Sequence, residues 1–291
     1  MYRVRLFATD GDDTIAPHPD EQGVRNLKPA HAARSAIEKY PHVTFSVITG
    51  QSRNDIQDLV DATGIRGPCA YESGYFYFMG GRLLHLSDVR PELIERHPEI
   101  AAVDRLRQSL ANDGFPQWVS SEHGLYADIM RGKGAMLSIR HYDGRASDFR
   151  KSALPAMLRR YTEADAVRRY IESGAVQVTP FRNIATDLKP AIIKKDLPLG
   201  IIMKATGAEP RTTMIAGDSG SDAEMFRAVY NTDMKERGYA ACPADATREI
   251  REIVRAFGDK GIISKWSCKD GAFADILETA ARSGWFYSGR H

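Results

Sequence analysis

Twice in this chain an apolar, β-rich run breaks directly into a loop dense in aspartate and glycine. Val4 to Thr9 runs into Asp10-Gly11-Asp12-Asp13-Thr14, and Thr212 to Ala216 runs into Gly217-Asp218-Ser219-Gly220-Ser221-Asp222. Carboxylates at strand ends narrow the folds open to a chain, because open α/β sheets bind ligands outside the carboxyl ends of their strands. The intervening spacing points the same way. Lys28 to Tyr40 has Ala30, Ala33, Ile37 and Tyr40 on one helical side, and Val43 to Thr49 reads as a second strand. Arg53 to Thr63 reads as a helix with Ile56, Leu59 and Val60 on its apolar face. Pro68 to Phe78 suits a strand, or a hairpin turning at Gly80-Gly81. Strand–helix–strand–helix order predicts a parallel sheet covered by helices.

The middle of the chain reads differently. Ala101 to Asn112, Arg150 to Tyr161 and Val167 to Ser173 have helical patterns. Leu125 to Met130 and Ala135 to His141 read as paired strands, Ala175 to Thr179 as another, and Asp143-Gly144 as a turn. From Leu199 the first rhythm resumes. A helix runs to about Thr206, Thr212 to Ala216 is a strand, and a helix follows Asp222. Gly238 to Ala241 is a short strand, and helices cover Ala246 to Phe257 and Phe273 to Ala281. The simplest partition is one α/β domain interrupted by an inserted α+β domain at about 86–184.

Composition excludes several classes. Of 291 residues, 40 are Lys or Arg and 38 Asp or Glu, a net charge of +2 that argues against a dedicated nucleic-acid binder. Apolar runs such as Ile201-Ile202-Met203 are too short to span a bilayer, and the opening MYRVRLFATD lacks the apolar core of a secretory signal. Cys69, Cys242 and Cys268 are scattered, with neither a disulfide framework nor metal-ligand spacing. The expectation is a cytoplasmic protein with neither nucleic acid nor membrane as partner, present as a monomer or homodimer. Residues 131–169 carry ten basic and four acidic side chains, which suits either a solvated helix face or a field that attracts an anionic substrate.

Four stretches carry chemistry. Asp10 and Asp12, two positions apart after a strand, can share one crevice, one as nucleophile and one handling a proton; alone, the same residues suit a surface turn. Thr49-Gly50 offers a hydroxyl and a free N–H to a phosphate oxygen. Lys194-Lys195 offers a point charge. Asp218 and Asp222 can face the same crevice as Asp10, where clustered carboxylates repel unless a cation lies between them; hard oxygen donors favour Mg2+. Asp222 also suits the start of a helix.

In this order the stretches resemble the four motifs of the haloacid dehalogenase superfamily of phosphohydrolases. The DxDx[T/V] motif matches Asp10 to Thr14, the second motif Thr49, the third Lys195, and GDxxxD matches Gly217, Asp218 and Asp222. Lys195 lies 23 positions before Asp218, a spacing similar to that of the Cof-type, sucrose-phosphate-phosphatase-like branch. The sequence departs from the pattern at Asp13, where many members have Gly, and at Arg53, two positions later than the usual Thr-Gly-Arg arginine. The resemblance implies an α/β fold with a Rossmann-like, three-layer core over 1–85 and 185–291 and an inserted cap over 86–184. It implies Asp10 as nucleophile, Asp12 as acid and base, and Thr49 and Lys195 as further catalytic groups. Asp10, Gly11, Asp12, Thr49, Gly50 and Lys195 are then the phosphate cradle, and Asp10, Asp12, Asp218 and Asp222 the Mg2+ site. The implied activity is phosphatase action on a small phosphorylated metabolite such as a sugar phosphate. A phosphohexomutase and a phospho-receiver domain are the alternatives.

Overall fold

The structure is a computed structural model and describes residues 4–20, 24–130, 133, 136–181 and 183–286. Arg131 of the basic stretch and Ala135 of an expected strand lie outside the described residues. The chain divides into two units, Met1–Leu84 with Lys194–His291, and His85–Ile193.

The first segment holds β1 (Leu6–Thr9), α1 (Lys28–Glu38), β2 (Thr44–Val47), α2 (Arg53–Thr63), β3 (Cys69–Tyr71), β4 (Phe76–Met79) and β5 (Arg82–His85). Helix α2 matches the expected span because both ends are marked locally. The Ser52 side chain accepts a hydrogen bond from the Asp55 N–H, and Gly64 closes the helix at φ 71°. The apolar run from Pro68 is a hairpin, with Gly80 and Gly81 at positive φ between β4 and β5.

The second unit holds α3 (Leu86–Val89), α4 (Pro91–Arg96), α5 (Pro98–Asn112), α6 (Phe115–His123), β6 (Ala127–Ile129), β7 (Leu137–His141), α7 (Ala146–Asp148), α8 (Leu154–Arg160), α9 (Ala164–Glu172), β8 (Val176–Phe181) and β9 (Ala185–Pro190). Its sheet has the order β6-β7-β9-β8, with every neighbouring pair antiparallel. Because β9 pairs on both sides within this sheet, the unit runs to Ile193 rather than ending near 184. Its core gathers Leu106, Phe115, Trp118, Leu137, Ile139, Phe149, Met157 and Leu188.

The last segment holds α10 (Asp196–Thr206), β10 (Thr213–Ala216), α11 (Ala223–Val229), β11 (Tyr239–Cys242), α12 (Arg248–Ala256), β12 (Gly261–Ile263) and α13 (Ala272–Arg282). It completes a five-stranded parallel sheet of order β12-β11-β10-β1-β2. Phe7, Phe45, Val47, Met214, Ala216, Tyr239 and Ala241 face one side, where α1, α2 and α13 close a buried core. The Phe7 ring lies 5.8 Å from that of Phe45 and 5.7 Å from that of Phe273, within the range of favourable aromatic pairing. Helices α10, α11 and α12 pack on β1, β10 and β11. The predicted α/β order is thus realised as a helix–sheet–helix sandwich interrupted by an antiparallel unit.

The topology fixes where chemistry can occur. From β1 the chain winds through α1 to β2, and from β10 it winds the opposite way to β11 and β12. The crevice at such a reversal, beside the carboxyl ends of β1 and β10, is where open sheets take ligands.

Candidate active site

Asp10 directly follows β1, and its N–H bonds the Ala216 carbonyl at 2.9 Å, continuing the β1–β10 ladder. The loop then turns back on itself. The Ile15 N–H bonds the Gly11 carbonyl and the Asp13 N–H bonds the Ala16 carbonyl, with Asp13 at φ 55°. A residue other than glycine in that region is uncommon, and Asp tolerates it better than most.

Lys195, just before α10, places Nζ 2.9 Å from Asp10 Oδ1 and 2.6 Å from Asp222 Oδ1. All three side chains are buried. The other Asp222 oxygen accepts the N–H groups of Asp218 at 3.0 Å and Ser219 at 3.1 Å, so the second acidic loop is wound around that carboxylate. Gly217 allows the winding, since a Cβ there would stand 2.6 Å from Asp222 Cβ. Asp218 is held from the first loop, where Thr14 Oγ1 donates to its Oδ1 at 3.1 Å. Carboxylate oxygens of Asp10, Asp218 and Asp222 all lie within 4.8 Å of one another.

The charges in this cluster do not balance. One ammonium faces three carboxylates. Burial pushes the Asp10 carboxyl well above the usual carboxylate range; Lys195 opposes the rise, and the Asp222 and Asp218 charges add to it. Burial and then the Asp222 charge push Asp218 up to about 7. Burial by itself lowers the Lys195 pKa, but the Asp10 and Asp222 carboxylates outweigh it and hold the ammonium charged. Three carboxylates offering hard oxygen atoms this close together form a donor set that fits a small divalent cation such as Mg2+.

Thr49 lies past β2, whose end is tied to β1 by the Ile48 N–H to the Thr9 carbonyl at 2.8 Å. It is buried, and its Oγ1 accepts the Gln51 N–H at 3.1 Å. Gly50 follows it at the start of the turn into α2. Arg53, an open question in the sequence, turns to its own surroundings. Its guanidinium sits 4.7 Å from the Phe78 ring centre, and its Nε donates to Gln57 at 3.0 Å. Within the basic stretch, Arg145 pairs with Asp148, Arg168 pairs with Asp165, and Arg160 stacks over Trp118.

Asp12 is buried too, yet its partners differ from those of Asp10. Arg25 Nη1 donates to Asp12 Oδ1, and His18 Nδ1 lies 3.2 Å from Oδ2. Neither residue stands out in the sequence. Arg25 sits in an irregular stretch before α1, and no local pattern marks it as a partner of the aspartate loop.

No protein-family model matches the chain, and no curated protein matches it. Solved structures do. A protein of Thermoplasma acidophilum is similar at 17% identity and TM-score 0.60, over 97% of this chain and 99% of that one. The sucrose-phosphatase of Synechocystis sp., solved with sucrose and phosphate, is similar at 17% identity and TM-score 0.58, over 98% and 99%. A haloacid dehalogenase-like hydrolase of Bacteroides thetaiotaomicron is similar at 13% identity and TM-score 0.56, over 95% and 99%.

Proposed function

From a fold shared with the haloacid dehalogenase-like hydrolases over nearly its whole length, we propose that this chain is a Mg2+-dependent phosphatase of a small phosphorylated metabolite, most simply a sugar phosphate. One observation carries the reading. Asp10, Lys195, Asp218 and Asp222 come from three separated stretches of chain and meet in one cluster at the carboxyl ends of β1 and β10, with Asp10, Lys195 and Asp222 buried and ion-paired and Asp218 half-buried beside them. The solved relative that holds sucrose and phosphate supports the choice of a sugar phosphate. Selection among phosphorylated substrates is assigned to the inserted unit, His85–Ile193.

In this reading Asp10 attacks phosphorus in line, and the bond to the leaving oxygen breaks as an aspartyl-phosphate forms. Asp12 gives its proton to the departing alcohol oxygen, then takes one from the water that attacks the aspartyl-phosphate, which restores both carboxyl groups. Thr49, the loop N–H groups of Gly11 and Gly50, and the Lys195 ammonium hold the phosphoryl oxygens. Asp10, the Asp12 backbone carbonyl and Asp218 would hold the Mg2+, with Asp222 behind them fixing Lys195 and the Asp218 loop. The bound ion supplies positive charge that lets a phosphate dianion approach these carboxylates.

The direct test is hydrolysis of para-nitrophenyl phosphate with Mg2+, with chelator, and with Mg2+ restored. Activity that follows the ion supports the reading. No hydrolysis of this compound or of any member of a panel of phosphorylated metabolites would overturn it. A phosphoprotein that forms and does not turn over would place the chain with the receivers, and a strict need for a bisphosphate activator with the mutases.

Ion binding has its own readout. Asp218 carries a folded-state pKa of about 7, well above the ordinary aspartate value, so between about pH 4 and 7 the folded state binds more protons than the unfolded one. Stability contributed by that proton is present at low pH and lost as pH rises through 7. Mg2+ competes for the same oxygens. The rise in melting temperature on adding Mg2+ is therefore larger at pH 8 than at pH 5. Equal shifts at the two pH values would remove Asp218 from the proposed ion site.

A further inference from the structure

We infer that Arg25 is the positioning residue for Asp12, holding that carboxylate in the direction from which it exchanges a proton with the leaving oxygen. The inference rests on the phosphatase reading and goes beyond it, because Arg25 belongs to none of the four motifs.

The geometry separates two carboxylates that lie two positions apart. Asp10 bonds Lys195 and its Oδ1 accepts the Gly11 N–H at 2.7 Å. Asp12 bonds Arg25 and has His18 beside it. The Arg25 side chain is only 2% exposed, and its guanidinium is anchored at several points. Nη1 donates to Asp12 Oδ1 and also reaches the Pro17 carbonyl at 3.3 Å. Nη2 donates to the Asp55 carbonyl in the first turn of α2 at 3.0 Å, and Nε lies 3.6 Å from Asp58 Oδ2. The planar fork thus ties the Asp12 carboxylate to a helix of the core.

Burying a guanidinium is costly unless its donors are used, and here the fork spans the aspartate loop and α2 at once. Without a partner, the Asp12 carboxylate would be free to turn about its two side-chain torsions and sample many directions. A group that must meet a leaving oxygen within hydrogen-bond reach loses rate steeply when misplaced. Arg25 removes that freedom through its bond to the Asp12 carboxylate. A lysine cannot reproduce the fork, since its single nitrogen cannot reach both Asp12 and Asp55 in the same plane.

The test compares phenyl phosphate with para-nitrophenyl phosphate, which differ little in size but much in how far the departing oxygen needs a proton. The value of kcat/KM reports the step that breaks the bond to that oxygen. For Arg25→Ala we expect a loss of about a hundredfold or more on phenyl phosphate, the scale of general acid catalysis, and of less than about tenfold on the nitrophenyl ester. Arg25→Lys recovers part of the phenyl phosphate rate. Circular dichroism and the Mg2+-induced melting shift verify that the variants are folded and bind the ion. Equal losses on both esters in a folded variant would overturn the positioning role and leave the phosphatase reading standing. A wild-type protein inactive on both esters and on the wider panel would overturn the two together.

Discussion

Asp10→Asn lowers kcat for para-nitrophenyl phosphate at least about a hundredfold, the scale of removing a covalent nucleophile, and does so without lowering the melting temperature in metal-free buffer. The two halves of the result have one cause. Asparagine keeps the shape of the side chain and an oxygen for Lys195 Nζ, which lies 2.9 Å from Asp10 Oδ1, and for the Gly11 N–H. It removes one of three carboxylates that crowd within 4.8 Å. The proposed nucleophile is lost while the repulsion it caused is relieved. Burial, opposed by Lys195 and reinforced by the Asp222 and Asp218 charges, holds the Asp10 carboxyl well above its ordinary range, so its ionised form is the costly one in metal-free buffer. Steady-state kinetics and a thermal melt on the same preparation decide the matter. Activity within tenfold of wild type would end the proposed mechanism. A variant that melts well below wild type would mean that the carboxylate supports the fold.

Lys195→Met has the opposite profile, and a large one. The side chain keeps its length and loses its charge, leaving Asp10 and Asp222 buried without their common partner. Breaking a buried pair by removing one member costs about 3–5 kcal/mol, and under the proposed mechanism activity falls by about a hundredfold or more as the phosphoryl oxygens lose their fixed cation. The sign with pH follows from the carboxylates. Without the ammonium, the Asp10 carboxyl, already held above the usual carboxylate range by burial, loses the charge that opposes the rise and goes higher still. The stability of the variant is then greatest below about pH 4 and falls as pH climbs. Mg2+ restores part of the loss by supplying charge to the same oxygens. Urea unfolding at two pH values, with and without Mg2+, reads all of this. Wild-type stability in the metal-free variant would show that the cluster does not depend on Lys195.

How much of this was legible before the structure depends on how local each feature is. Helix α2 was readable to the residue because Ser52 and Gly64 mark its ends. The aspartate loops were readable because turn chemistry abuts apolar strands. Strand β9 was not: Ala185–Pro190 contains Thr, Asp, Lys and Pro, and becomes a strand only through pairing with β7 and β8. Strand β12 is three residues long and escaped for the same reason. The helix expected from Arg150 begins earlier, with a wide turn over Phe149–Ala153 ahead of α8, a distortion that apolar spacing does not register. Arg25 is the instructive omission at the site. Its partners, Asp12, Pro17 and Asp55, are scattered along the chain, and only folding makes them neighbours.

The strand that carries Asp10 also has a history imposed by its place in the sheet. Thr14 and its partner Asp218 are 204 positions apart, because β1 is flanked by β2 from its own segment and by β10 from beyond the inserted unit. A ribosome adding roughly 5–20 residues per second takes on the order of ten to forty seconds to bridge that gap. For that interval the nascent β1–β2 pair presents a bare edge, the kind of surface that recruits wrong neighbours and chaperones alike.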